Sequence, residues 1–121
     1  MDAFSGDSVP VHLITREAFQ SYFRHIKPGG ILAVNISNKY LDLEPVMQRA
    51  TEALGKTGFV YHYEPPDDDI LCFSCSWTLM MDRAAADAHP ELRRHATREL
   101  LPGRRFRVWT DDYSNMFGIL K

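Results

Sequence analysis

Ala18, Phe19, Tyr22, Phe23 and Ile26 recur at helical spacing, which predicts a helix over residues 15–27. Thr15 is placed to cap it and Glu17 to sit in its first turn. Lys27-Pro28-Gly29-Gly30 ends it. The next six residues, Ile31 to Ile36, offer apolar side chains to both faces. That pattern predicts a parallel strand covered by helices on both sides. Leu43, Val46, Met47, Ala50, Ala53 and Leu54 form the stripe of a second helix near 43–57, with Asp42 as its cap and Pro45 in its first turn. Phe59 to Tyr63 reads as a second strand, and Glu64 to Asp69 as an exposed turn. The order helix, strand, helix, strand predicts an α/β fold with right-handed crossovers.

The next strand alternates. Phe73, Cys75, Trp77, Leu79 and Met81 share one face, and Ser74, Ser76, Thr78 and Met80 the other. A one-sided strand after a short loop predicts an antiparallel partner for the strand before it. Residues 83–101 are helical in composition, interrupted before Pro90. The expected core includes Phe19, Phe23, Leu32, Val34, Val46, Leu54 and Trp77.

At 121 residues, with 45% hydrophobic content, one domain is expected. A net charge of −2 argues against general affinity for nucleic acid or anionic membranes. No apolar run reaches the roughly 20 residues of a membrane span. The acidic N-terminus lacks the basic-then-apolar pattern of a signal peptide, so a cytoplasmic protein is expected. Cys72 and Cys75 form C-x-x-C, but residues three apart on a strand face opposite ways. They are read as buried free thiols, and no H-x-x-x-H pair supports a metal site. The acidic triplet Asp67–Asp69 reads as a solvated loop. The arginine-rich stretch from Arg93 to Arg107 reads as a solvated face, or as one paired with the acidic loops.

The chemistry points to the first stretch, Asp2-Ala3-Phe4-Ser5-Gly6-Asp7-Ser8-Val9-Pro10-Val11-His12-Leu13. It carries two carboxylates among small residues, just before a helix. Loops at the carboxyl ends of strands in open α/β sheets bind ligands. A carboxylate there suits a cationic substrate or a group that must give up a proton. The bland alternative is that both acids close a turn and cap backbone amides. Such a loop normally follows a buried strand, so the chain reads as the second half of a fold.

D-A-F-S-G-D-S-V-P-V-H-L-I-T (Asp2–Thr15) resembles the post-strand loop of spermidine synthase-like proteins, within the class I methyltransferase-like Rossmann superfamily. K-P-G-G (Lys27–Gly30), N-I-S-N-K-Y-L-D-L-E-P (Asn35–Pro45) and W-T-D-D-Y-S-N (Trp109–Asn115) resemble further segments of it. The resemblance covers essentially the whole chain. It implies the C-terminal half of a seven-stranded Rossmann-like sheet, with an antiparallel hairpin at one edge built from the strands near Phe59 and Trp77. It also implies transfer of an aminopropyl group from decarboxylated S-adenosylmethionine to a diamine. Asp2 matches the first acidic position of the family loop and is the expected catalytic base. Asp7 approximates the second position at a longer spacing. Asp7, Ser8 and His12 are expected to face the amine, and Asp2 and Ala3 the cofactor.

No G-x-G-x-x-G loop follows a strand, and no later acidic residue is placed to hold a ribose. The isolated chain is therefore expected to bind no cofactor. Two readings stand: a transferase half-domain acting with another chain (or a truncated gene product), and a non-catalytic interaction module. A half-sheet exposes a strand edge, so a homo-oligomer, most simply a twofold dimer, is expected.

Overall fold

The computed structural model describes residues 1–2, 10–66, 73–103 and 106–121. It is a mixed α/β structure. Helices α1 (Arg16–His25), α2 (Glu44–Ala53), α3 (Arg83–Ala88) and α4 (Pro90–His95) accompany four strands: β1 (Leu32–Asn35), β2 (Thr57–Tyr63), β3 (Cys75–Met81) and β4 (Arg98–Glu99). The strands form one sheet in the order β1-β3-β2-β4.

Helix α1 begins where its caps dictate. The Thr15 hydroxyl accepts the Ala18 amide at 3.2 Å. After α1 the chain reverses through Lys27-Pro28-Gly29-Gly30, with the Gly30 amide on the Lys27 carbonyl at 2.9 Å. Proline presets the first central position of this turn. Gly29, at φ +77°, takes the left-handed conformation that the second one needs. Helix α2 is shorter than its stripe predicts. Gly55, at φ +62°, closes it, and its amide bonds the Glu52 carbonyl at 3.1 Å. Strand β2 therefore starts at Thr57 rather than Phe59.

The expected parallel arrangement needs correction. Every pairing between named strands is antiparallel: β1 with β3, β3 with β2, and β2 with β4. The antiparallel pairing of the strands near Phe59 and Trp77 is as predicted, from Thr57 opposite Met81 to Tyr63 opposite Cys75. No local pattern marks β3 as also pairing with β1, where it takes the place of a parallel neighbour. Because β3 opposes both, β1 and β2 still run in the same direction, and their carboxyl ends share one rim.

The one-sided reading of β3 is also corrected, since both faces of the sheet are covered. Thr78 lies between Val34 and Val60 in register, and with Met80 this face meets the main core. That core holds Phe19 of α1, Val46, Met47 and Ala50 of α2, and Trp109 and Ile119 of the C-terminal segment. On the opposite face, Phe59 and Met81 bury against Ala85 and Ala86 of α3, with Leu79 and with Leu92 of α4 packed alongside. Phe19, Val34 and Val46 are buried as expected. Phe23, Leu32 and Leu54 pack at the core margin. Trp77 is only half-buried and joins neither cluster. Residues 83–101 form two short helices broken before Pro90, as expected, and then the short strand β4 where helical composition was read.

Thr78 is fully buried and its hydroxyl has no partner among the described residues. A buried, unpaired hydroxyl costs about 1–3 kcal/mol. Valine has nearly the same shape and would sit between Val34 and Val60. Thr78→Val is expected to raise unfolding stability by about 1 kcal/mol. A urea titration showing no gain, or a loss, would mean that the hydroxyl is satisfied.

Candidate functional site

The site grows from the shared rim of β1 and β2. On the outer edge of β1, the Met1 amine donates to the Ala33 carbonyl, and the Asn35 amide donates to the Met1 carbonyl at 2.9 Å. One residue bonding to the two that flank the residue opposite it is the pattern of parallel pairing. Met1 thus lies alongside Val34 in the direction of β1. Asp2 follows immediately, exposed at the carboxyl-end rim.

From Asp2 a line of polar contacts crosses the sheet. The Asp2 carboxylate accepts the Asn35 side-chain amide at 3.1 Å. The Asn35 side-chain oxygen accepts the Ser37 backbone amide at 2.9 Å. The Ser37 hydroxyl accepts the Ser76 amide at 2.9 Å and faces the Ser76 carbonyl at 3.4 Å. The Ser76 hydroxyl meets His62 Nδ1 at 2.7 Å, and His62 Nε2 lies 3.5 Å from the Glu64 carboxylate. His62 and Ser76 are cross-strand partners, so the sheet register itself brings them together.

Beyond Ser37 the rim opens into a cleft of about 540 Å³. Ile36 to Lys39 form one wall, Phe73 to Ser76 another, and His62 and Lys121 complete it. The wall after β1 is held by Asn38, whose side-chain oxygen accepts the amides of Tyr40 and Leu41 at 2.9 and 2.8 Å. Lys121 is tied down by its amide on the Tyr40 carbonyl at 2.9 Å and its ammonium on the Asn38 carbonyl at 2.5 Å. Cys75, read from sequence as buried, is a half-buried free thiol lining this cleft. Cys72 lies outside the described residues.

Among the sequence-predicted site residues, Asp2 stands at the rim as described. Ala3, Asp7 and Ser8 lie outside the described residues, as does the acidic triplet. His12 is exposed on the 3₁₀ turn Val11–Leu13 and does not line the cleft. The residues that do line it, Ser37, His62, Ser76 and Lys121, were not singled out by the sequence. One signal was available: the polar face of β3 continues into Ser74 and Ser76 at the strand's start. Among the described residues, no group of three metal-ligating side chains gathers anywhere. The arginine stretch is paired in part, Arg93 with Glu99 at 3.2 Å and Arg98 with Glu44.

The W-T-D-D-Y-S-N segment does packing work. Trp109 is buried, and its carbonyl accepts the Arg16 amide at 2.8 Å, at the first residue of α1. Asp111 accepts the Thr15 hydroxyl at 2.7 Å, and its own amide reaches the Glu17 carboxylate at 3.1 Å. Desolvation pushes the Glu17 carboxyl up, but Arg16 and the amides of Glu17 and Asp111 outweigh it and hold the group below its ordinary value.

Among the described residues no helix is long and apolar enough to cross a membrane. Compared with protein-family models, characterised proteins and solved structures, the chain matches none.

Proposed function

We propose that this chain supplies the base-bearing half of a spermidine synthase-like transferase, which moves an aminopropyl or methyl group from an S-adenosyl donor to an amine. One observation carries the reading. Two separate segments with the family resemblance, the acidic loop and the stretch from Asn35, meet in the hydrogen bond between Asp2 and Asn35. The bond leaves the second Asp2 oxygen to take a proton from an ammonium group at the rim. An amine is protonated at neutral pH and attacks only after losing that proton. The β2–β3 hairpin agrees with the antiparallel hairpin that the family implies.

The half that grips the donor comes, in this reading, from further sequence or from another chain, and the location is cytoplasmic. A second reading, a non-catalytic interaction module that pairs with a second copy, is favoured by the edge of β1. Among the described residues only Met1 occupies that edge, and Ile31 beside it is 38% exposed.

The test is transfer from decarboxylated S-adenosylmethionine or S-adenosylmethionine to a diamine. It is run on the chain alone and on the complex it forms in its native extract, with calorimetry and light scattering on the same samples. The chain alone is expected to bind no donor and transfer nothing, and the complex to turn over. Micromolar donor binding by the chain alone would overturn the half-site reading. A complex without transfer would overturn the transferase reading, and a homodimer in light scattering would then support the interaction module.

A further inference from the structure

The cleft beyond Ser37 has a charge pattern that the proton-accepting role of Asp2 does not use. The chain has four lysines in all, and two of them, Lys39 and Lys121, line this one cleft. Neither makes an ion pair among the described residues. The Lys39 ammonium lies 5.4 Å over the Tyr40 ring, and that of Lys121 rests on a backbone carbonyl. By contrast, Lys56 is paired with Asp82 at 2.6 Å. No described acidic side chain lines the cleft; Glu64, beside it, is exposed and faces the far nitrogen of His62.

The hydroxyls of Ser74 and Ser76 and the His62 ring line the same cleft. Ser76 and His62 share a 2.7 Å hydrogen bond, so one of that pair donates to the other and the Ser74 hydroxyl is a further donor. Phe73, 85% exposed, adds an apolar wall. Two ammonium groups with no ion pair among the described residues, in a cleft shared with hydroxyls and an aromatic ring, match an oxyanion attached to an apolar body. Charge-assisted hydrogen bonds to such an anion are about twice as strong as neutral ones. In a chain of net charge −2, this is a local reversal of sign.

We propose that this cleft is a binding site for a small oxyanion-bearing molecule, a phosphomonoester or carboxylate with an apolar or aromatic body. Lys39 and Lys121 hold the anion, Ser76 and His62 orient it, and Phe73 covers the body. Pinning of Ser37 to the Ser76 backbone keeps the two walls at a fixed separation.

The experiment is a nitrogen-15 NMR titration of the chain with phenyl phosphate and benzoate as probes and phenol as the neutral control. Saturable shifts are expected at the amides of Ser37, Lys39 and Ser76 for either anion and not for phenol. The double variant Lys39→Ala, Lys121→Ala is expected to weaken binding at least tenfold, its own spectrum showing that it remains folded. Lys27→Ala and Asp2→Asn are expected to leave it unchanged, which separates this site from the proposed base. Absence of saturable shifts at these residues, equal binding of phenol, or full affinity in the double lysine variant would overturn the assignment.

Discussion

Trp109→Ala is expected to destabilise the protein by about 3–5 kcal/mol, the range for removing a large buried aromatic side chain. Trp109 is 1% exposed and packs against Phe106 with ring centroids 6.2 Å apart. It also positions the segment whose carbonyl and carboxylate hold Arg16 and Thr15. Loss of the ring therefore loosens the start of α1 as well as emptying part of the core. Its indole nitrogen is buried without a partner among the described residues. Trp109→Phe keeps most of the apolar contact and removes that unsatisfied donor, so it is expected to cost less than half as much. Urea unfolding of both variants measures the difference. A cost under about 1 kcal/mol for Trp109→Ala would show that the segment is a surface attachment rather than part of the core.

Under the proposed function, Asp2→Asn is expected to lower turnover of the assembled transferase about a hundredfold or more, the usual contribution of a positioned general base. Asparagine keeps the size of the side chain and an oxygen that can accept from Asn35. What it lacks is the charge and basicity to take a proton from an ammonium group. The fold should be unaffected, because Asp2 is exposed and its recorded side-chain contact is the 3.1 Å bond to Asn35. Turnover is measured on the complete enzyme, with circular dichroism as the folding check. A raised pH optimum of the residual activity would further separate proton removal from substrate placement, since amine that is already neutral needs no base. Unchanged turnover would make Asp2 a turn residue.

Local signals read well from the sequence where the physics is local. The Thr15 cap, the Pro28-Gly29 turn and the stripe of α2 each depend on residues within a turn of one another. The β2–β3 hairpin followed from one alternating strand next to another. Non-local pairing did not read as well. Apolar side chains on both faces of residues 31–36 report burial, and burial by an antiparallel neighbour looks the same as burial by a parallel one. The serine and threonine on β3 suggested a solvent face, yet Thr78 is fully buried between two valines. The site divides in the same way. Asp2 could be singled out because an acidic loop before a helix is contiguous. The cleft could not, because Lys39, His62, Ser76 and Lys121 converge only once the register of β2 with β3 and the path of the last residues are known.

That path has a consequence for synthesis. Ile119 is 2% exposed and belongs to the same cluster as Ile14 and Phe19. Leu120 bridges to Leu41, and the Asp42 amide bonds the Ile119 carbonyl at 2.7 Å. A ribosome shields some tens of the residues it has most recently joined, so while this stretch is still in the exit tunnel the core lacks one of its walls. The emerged part can form α1, α2 and the β2–β3 hairpin, but its apolar faces stay open until residue 119 has left the tunnel. Folding of this domain is therefore a late event on the ribosome. Stalling shortly before that point would leave a chain with most of its secondary structure and an unsealed core, the kind of species that chaperones bind.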